Sequence, residues 1–433
     1  MTQFSDLGLA ESLLRAVTAE GYTNPTPIQA KVIPPLLDGR DVLGIAQTGT
    51  GKTAAFVLPL LNQIDGDRGK PASRTCRGLI LTPTRELATQ IAEEIRRYSK
   101  FMRASLTVVV GGVKPGPQIR NLARGVDIVI ATPGRLLDHL QTGAIDLSQT
   151  RFVVLDEADQ MLDLGFLPPI KKIMAKVPRA RQTALLSATM PNEIRALGAQ
   201  FQNDPVEVSV APVSRPIEQI EQSVIAADAS TKKDVLAKLL NEAEVTRAIV
   251  FCRTKHGSDK LTKHLTNVGL RAVAIHGNKS QNQRERALDA FKKGETPILV
   301  ATDIAARGIH VNNISHVFNY ELPEVAEVYV HRIGRTARAG STGIAVSLCD
   351  PAERKLLRAI ERLTNIPLTR TGGTTAGFLA DEPDRNDGPS RNSRRRRPGG
   401  GNNGGQRRGG PGRPQGAAKG EGRSRSQPQA AYN

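Results

Sequence analysis

The stretch Ala46-Gln47-Thr48-Gly49-Thr50-Gly51-Lys52-Thr53 decides how this chain is read. It follows the apolar run 42–46 and opens a helix-like segment, a strand–loop–helix order. Glycines in such a loop let backbone N–H groups approach phosphate oxygens with no Cβ in the way. Lys52 can then reach the outer phosphates and the Thr53 hydroxyl can ligate Mg²⁺. The helix N-terminus adds positive potential. The common pattern begins with Gly, and Ala46 takes that place here. A plain Gly/Thr turn has the same composition, but the strand before and the helix after favour the phosphate cradle.

About a hundred residues on, Val153-Val154-Leu155-Asp156-Glu157-Ala158-Asp159 is an apolar strand that ends in clustered carboxylates. Asp156 can hold the hydration shell of a Mg²⁺ ion, and Glu157 can orient or deprotonate the attacking water. Alone, the acids could equally favour a helix N-terminus through its dipole; beside a phosphate loop they point to nucleoside triphosphate hydrolysis. Ser187-Ala188-Thr189 closes another apolar strand, and its hydroxyls could simply cap the next helix. In His331-Arg332-Ile333-Gly334-Arg335-Thr336-Ala337-Arg338, Arg335 and Arg338 are three apart, so on a helix both face one way. Paired guanidinium groups suit a γ-phosphate in its transition state; a solvated basic face is the alternative.

Around these motifs the chain alternates strands and helices. The runs 42–46, 78–82, 106–110, 127–131, 152–156 and 183–187 are rich in Val, Ile and Leu and nearly continuous. Strands buried on both faces of a parallel sheet read this way. The pattern breaks at Pro205, Pro212 and Pro216, then restarts with 248–252, 272–276, 298–302, 316–320 and 344–348. The expected organisation is an α/β domain over 1–205, a linker over 206–216, a second α/β domain over 217–370 and a tail over 371–433.

The 433 residues carry a net charge of +18 and are 39 % hydrophobic, enough for packed cores and suggestive of a polyanionic partner. Residues 371–433 hold twelve basic against five acidic side chains, seven of those eighteen net charges, amid Gly, Asn, Pro and Ser. Such a segment cannot bury enough apolar surface to offset its ordering entropy, so a disordered basic tail is expected. The three cysteines form no Cys-x-x-Cys pair, which suits a reducing compartment. With no secretory signal or membrane-length apolar run in view, a soluble, cytoplasmic protein is expected.

Taken in order, the motifs resemble those of the DEAD-box RNA helicases over nearly all of 1–370. Phe4 and Gly21-Tyr22-Thr23-Asn24-Pro25-Thr26-Pro27-Ile28-Gln29 look like the adenine-reading Q motif. Pro83-Thr84-Arg85-Glu86-Leu87-Ala88, Gly111-Gly112 and Thr132-Pro133-Gly134-Arg135 look like RNA-contacting motifs. Val250-Phe251-Cys252-Arg253-Thr254, Gln281 with Arg284, and Ala301-Thr302-Asp303-Ile304-Ala305-Ala306-Arg307-Gly308 complete the set with 331–338. The basic Gly/Arg tail looks most like the bacterial RhlE-type subgroup.

The resemblance implies two tandem RecA-like parallel-sheet domains, a P-loop NTPase of helicase superfamily 2, with ATP and Mg²⁺ held between them. Phe4, Tyr22 and Gln29 would belong to the adenine site; an amide matches adenine's donor and acceptor together. Ala46, Gln47, Thr48, Gly49, Thr50, Gly51, Lys52, Thr53 and Asp303 would complete the nucleotide contacts. Lys52, Asp156, Glu157, Arg335 and Arg338 would be catalytic, with Thr53 and Asp156 holding Mg²⁺, partly through water. Asp159, Ser187, Thr189 and His331 would couple nucleotide state to domain closure. Thr84, Arg85, Gly112, Thr132, Arg135, Arg253 and Thr302 would grip RNA by its sugar-phosphate backbone, without reading sequence.

With no Trp and only 3 % aromatics, extensive base stacking is not expected. The implied partners are RNA and, through the tail, ribosomal precursors or an RNA-decay assembly, around a monomeric core. Two positions depart from the family. His310 stands where an Asp usually meets the ribose, and Ala337 replaces a Gly, a change that favours a helix. The alternative reading is an RNA chaperone that anneals strands through its tail; a DNA translocase is disfavoured by the Q motif and Asp-Glu-Ala-Asp.

Overall fold

Near-continuous apolar runs can be satisfied only by burial on both sides, and two parallel sheets with helices on each face provide it. The computed structural model describes residues 2–47, 49–67, 69–210, 220–242, 244–306, 309, 311, 313–337 and 342–371. In the first sheet the strands are β1 (Val42–Ile45), β2 (Cys76–Leu81), β3 (Leu106–Val109), β4 (Val126–Ala131), β5 (Phe152–Leu155), β6 (Gln182–Ser187) and β7 (Val206–Ser209). The second contains β8 (Ile220–Ala226), β9 (Ala248–Cys252), β10 (Ala272–Ile275), β11 (Ile298–Thr302), β12 (His316–Asn319), β13 (Gly343–Cys349) and β14 (Thr369–Arg370). The order is β3-β4-β2-β5-β6-β1-β7 in one and β10-β11-β9-β12-β13-β8-β14 in the other. Every pairing is parallel, and the two lobes repeat one plan strand for strand.

Alternate side chains of the first sheet feed two separate cores. Val42, Ile80, Val154 and Leu186 face one; Leu43, Leu79, Val153 and Leu185 face the other. All are buried, so each strand contributes apolar contacts on both sides.

The strands expected from sequence are present within one or two residues of their ends. The linker is different. Val206–Ser209, expected as its start, is β7 and pairs with β1 from Val42↔Val206 to Ile45↔Ser209. An edge strand needs one buried face only, and Val208 alone is buried there, so no apolar run marks it. Positions 211–219 of that linker, like 372–433 of the tail, lie outside the described residues. β8 shows no continuous apolar run either. It alternates, with Ile220, Gln222, Val224 and Ala226 buried and Glu221 exposed.

The three cysteines are buried and form no disulfide. Burial pushes each thiol up to about 12, which leaves them inert packing groups. No described helix is long and apolar enough to cross a membrane.

One close approach fixes the entry to β4. Gly125 has φ +70°, and a Cβ there would lie 2.2 Å from the Ala72 carbonyl oxygen. Gly125→Ala is expected to destabilise the first lobe by about 1–3 kcal/mol, read as a lower urea midpoint. An unchanged midpoint would show that the backbone yields at that turn.

Candidate nucleotide and nucleic-acid site

The phosphate loop runs from the end of β1 into the helix Lys52–Gly66. Ala46 N donates to the Ser187 carbonyl (3.0 Å) and Thr50 Oγ1 to the Gln47 carbonyl (2.7 Å). Gly49 and Gly51 sit at φ +89° and +94°, where a side chain would be strained. Lys52 is buried at the first helical position, and its Nζ donates to the Ala46 carbonyl oxygen at 2.7 Å, across the loop it serves. Thr53 follows it, at a helix end whose first N–H groups have no intrahelical partner. Thr48 lies outside the described residues.

The Q motif braces this loop. Thr26 caps the helix Pro27–Leu37, and Gln29 Oε1 accepts from Thr26 N at 2.9 Å. Gln29 Nε2 donates to the Gly51 carbonyl at 3.2 Å. A Cβ on Gly51 would lie 2.5 Å from that same nitrogen, so glycine is required for the contact. Tyr22 is 47 % exposed and can offer its ring to a base. Phe4, expected in the same group, is buried in the first lobe's core.

Asp156 and Glu157 leave the end of β5 buried. Glu157 takes the left-handed conformation, φ +51°, uncommon for a non-glycine residue. Its N–H donates to Asp156 Oδ1 at 3.0 Å. Burial, then the Glu157 charge, push the Asp156 carboxyl up to about 7, with Lys52 pulling the other way. Adjacent buried carboxylates beside a lysine are a donor set that fits a hard divalent cation shared with a phosphate. Asp159 faces the neighbouring strand. Its Oδ2 accepts from Ala188 N (3.1 Å), Thr189 N (2.8 Å) and Thr189 Oγ1 (2.9 Å), while Asp159 N donates to Ser187 Oγ (3.3 Å). The predicted coupling residues of the first lobe are therefore in direct contact.

In the second lobe, Asp303, His331 and Arg335 line one cavity with Phe251, Ala306, Val328 and Arg332. The helix Ala326–Ile333 stops before Arg335, so the expected helical pairing of Arg335 with Arg338 does not hold. Arg335 sits in the following turn, held by the Ile309 carbonyl (Nη1, 3.1 Å) and the His331 carbonyl (Nε, 3.3 Å). Ala337 is not helical either; it adopts φ +52°, a conformation that glycine fills without cost. The departure there carries strain rather than helix propensity. Arg338, Arg307, Gly308 and His310 lie outside the described residues.

Arg332 lies within the 331–338 motif but has no role from sequence, yet it organises this lobe. Fully buried, it pairs with both oxygens of Asp303 (2.5 and 2.8 Å), donates to Asn319 Oδ1 and the Glu321 carbonyl, and lies 5.1 Å from the Phe251 ring centroid. Asp303, expected at the nucleotide, lines the cavity while bonded to Arg332.

The predicted RNA residues of the first lobe converge. Thr84 caps the helix Arg85–Tyr98, with Leu87 N donating to its Oγ1 at 3.2 Å. The helix Pro133–Gln141 begins after Thr132 at the end of the adjacent β4. Two helix N-termini therefore open side by side, a geometry suited to phosphate. Gly112, at φ +74°, lies under Arg85, whose Nη1 would be 1.6 Å from a Cβ there. Arg135 Nη1 donates to the Val113 carbonyl at 3.1 Å. Burial, then Arg284 and Arg135, lower the Arg85 pKa, as expected for crowded cations awaiting an anion. Arg284 pairs with the buried Glu86 at 2.9 Å, joining the two lobes beside this cluster. In the second lobe, Thr302 ends β11, and Arg253 follows β9 with its N–H on Glu321 Oε2 (2.7 Å).

A strand-end phosphate loop, a carboxylate pair two strands over and basic helix N-termini define the P-loop NTPase fold. The patterns of the DEAD/DEAH box helicase and helicase conserved C-terminal domain families match residues 26–197 and 231–340. The chain is 46 % identical over 361 residues to the ATP-dependent RNA helicase DeaD of Haemophilus influenzae, covering 83 % of this chain and 58 % of that protein. It is 42 % identical over 375 residues to the DEAD-box ATP-dependent RNA helicase CshA of Bacillus cereus, covering 87 % and 70 %. Saccharomyces cerevisiae Dbp5 bound to RNA and ADP BeF3 superposes with a TM-score of 0.76 at 29 % identity, over 88 % of this chain and all of that one. The chain belongs to the DEAD-box helicase family, and it spans about 58 % of the length of the Haemophilus relative.

The Asp156 environment makes a pH prediction. Its ordinary value is 3.8 and its folded value about 7. Between these the folded state keeps a proton that the unfolded state has released, so stability falls as pH rises and the loss is complete above the folded value. In nucleotide-free protein, Asp156→Asn is expected to raise Tm at pH 8, with a stability gain on the order of a few kcal/mol, and to have no effect near pH 4. An equal gain at both pH values would remove ionisation as the cause.

Proposed function

We propose that this protein is an ATP-dependent RNA helicase that uses RNA-stimulated ATP hydrolysis to separate short duplexes or remodel ribonucleoprotein. One observation carries the reading: Asp159, two residues from the hydrolytic Glu157, holds the whole Ser187–Thr189 segment through its carboxylate and its N–H. A change at the γ-phosphate is thereby transmitted into the sheet edge that also carries the RNA residues.

In this reading Tyr22 and Gln29 bind adenine, the loop 46–53 wraps the phosphates, and Lys52 leaves the Ala46 carbonyl for them. Thr53 and Asp156 would hold Mg²⁺, partly through water, and the ion would supply charge neutralisation at the phosphates. Glu157 orients the water and takes its proton. Arg335 steadies the charge that develops on the γ-phosphoryl group. The RNA strand lies over Thr84, Arg85, Gly112, Thr132 and Arg135 and reaches Arg253 and Thr302. Dbp5, whose solved structure holds RNA with ADP BeF3, supports RNA as the partner.

The finer RhlE-type placement, a monomeric core, a cytoplasmic location and attachment to ribosomal precursors or RNA-decay machinery belong to the same reading. The shift to Arg, Gly and Asn after residue 371 and the inert cysteines support it. Annealing by the tail alone is the weaker reading, because it leaves the buried carboxylates unexplained.

Glu157→Gln is expected to keep ATP and RNA binding and to lose RNA-stimulated turnover; undiminished phosphate release would refute the role of Glu157. Equal wild-type turnover with and without RNA would overturn the function. Removing residues 372–433 should flatten the salt dependence of RNA affinity, by about 0.7 in the log–log slope for each phosphate that the tail no longer neutralises. An identical slope would mean that the tail does not touch RNA.

A further inference from the structure

The shared strand plan places a second lysine where the first lobe has its phosphate lysine. β1 and β8 hold the same position in their sheets. Lys52 is the first residue of the helix after β1, and Lys232 the first residue of the helix Lys232–Leu240 after β8. The connecting loop of the second lobe, Ala227-Asp228-Ala229-Ser230-Thr231, has no glycine, so its backbone lacks the phosphate-loop geometry. Lys232 is nevertheless buried, and a buried ammonium needs an anion.

That anion is supplied from within. Lys232 Nζ bonds Glu353 Oε2 and lies 3.1 Å from Asp350 Oδ2. Glu353 is itself buried and gathers donors from separate strand ends. Its Oε1 accepts from Leu322 N, past β12, at 3.0 Å and from the Arg253 guanidinium, past β9; its Oε2 also accepts from Asp350 N at 3.3 Å. The Arg253 side chain stays 31 % exposed while its Nη2 is held on Glu353, so the guanidinium is tethered yet within reach of solvent. A planar, multi-donor cation held this way is aimed rather than merely neutralised.

We propose that Glu353 is a positioning residue for RNA. It is an internal carboxylate that takes the place of phosphate beside Lys232 and uses its second oxygen to aim Arg253 at the RNA backbone. The inference rests on the RNA-dependent function proposed above. Its readout is the strength of RNA binding, apart from the chemistry of ATP.

The test is a double-mutant cycle on the full-length chain, read by the anisotropy of a short fluorescein-labelled oligouridylate and by RNA-stimulated ATPase. Glu353→Gln is expected to weaken RNA binding about tenfold, the size of one charge-assisted contact, while the half-saturating ATP concentration and the turnover at saturating RNA hold. In an Arg253→Ala background, Glu353→Gln should weaken RNA binding no further, because Glu353 acts through Arg253. Additive effects, or wild-type RNA affinity in folded Glu353→Gln protein, would overturn the proposal and leave the helicase reading intact. Wild-type protein without RNA-stimulated hydrolysis would bring down both. Should Glu353→Gln not fold, Lys232→Met with Glu353→Leu removes the buried pair together, a change cores often tolerate. That variant must show the same tenfold weakening, and wild-type affinity in it overturns the proposal.

Discussion

A strand buried on both faces can present polar chemistry only where it stops, and that constraint governs the whole molecule. Ala46 follows β1, Thr84 and Arg85 follow β2, Thr132 follows β4, Asp156 and Glu157 follow β5, and Ser187 ends β6. In the second lobe, Arg253 follows β9 and Asp303 follows β11. Because every pairing is parallel, these ends lie along one edge of each sheet, and residues scattered over a long sequence become neighbours. The helices that leave this edge bring their N-termini to it, and their dipoles add to the cations already there.

The contrast between the lobes follows from the same plan. The first lobe leaves its lysine facing a glycine-built loop, and a bound phosphate can replace the Ala46 carbonyl as its partner. The second lobe satisfies the matching lysine permanently with Glu353 and Asp350. One lobe is thus built to exchange ligands and the other to hold still. The Arg332 cluster adds to the second role, because a buried arginine with each guanidinium nitrogen engaged resists any shift of Asp303, Asn319 or Phe251.

Sequence reveals most of this architecture because its signals are local. Continuous apolar runs mark the central strands, and short motifs with fixed spacing mark the phosphate loop, the carboxylates and the small hydroxyls. What escapes is whatever depends on a distant partner. β7 and β8 carry polar faces near a sheet edge, so their pairing with β1 and β13 is set by neighbours absent from their own sequence. Arg335 and Ala337 read as helical from spacing, but the helix Ala326–Ile333 ends earlier and the chain turns through a left-handed residue. Glu353 carries no motif, and only the meeting of several strand ends gives it a role.

The bracing of the loop by Gln29 has a consequence for fidelity. One buried amide fastens the Gly51 carbonyl and accepts from Thr26 N. If Gln29 reads adenine as proposed, a base with the wrong edge, guanine for example, would be met only by turning that amide, which breaks its bond to the phosphate loop. Mismatch at one end of the nucleotide is thereby converted into disorder at the other. Under the proposed function, base selection and phosphate alignment would then be one event rather than two.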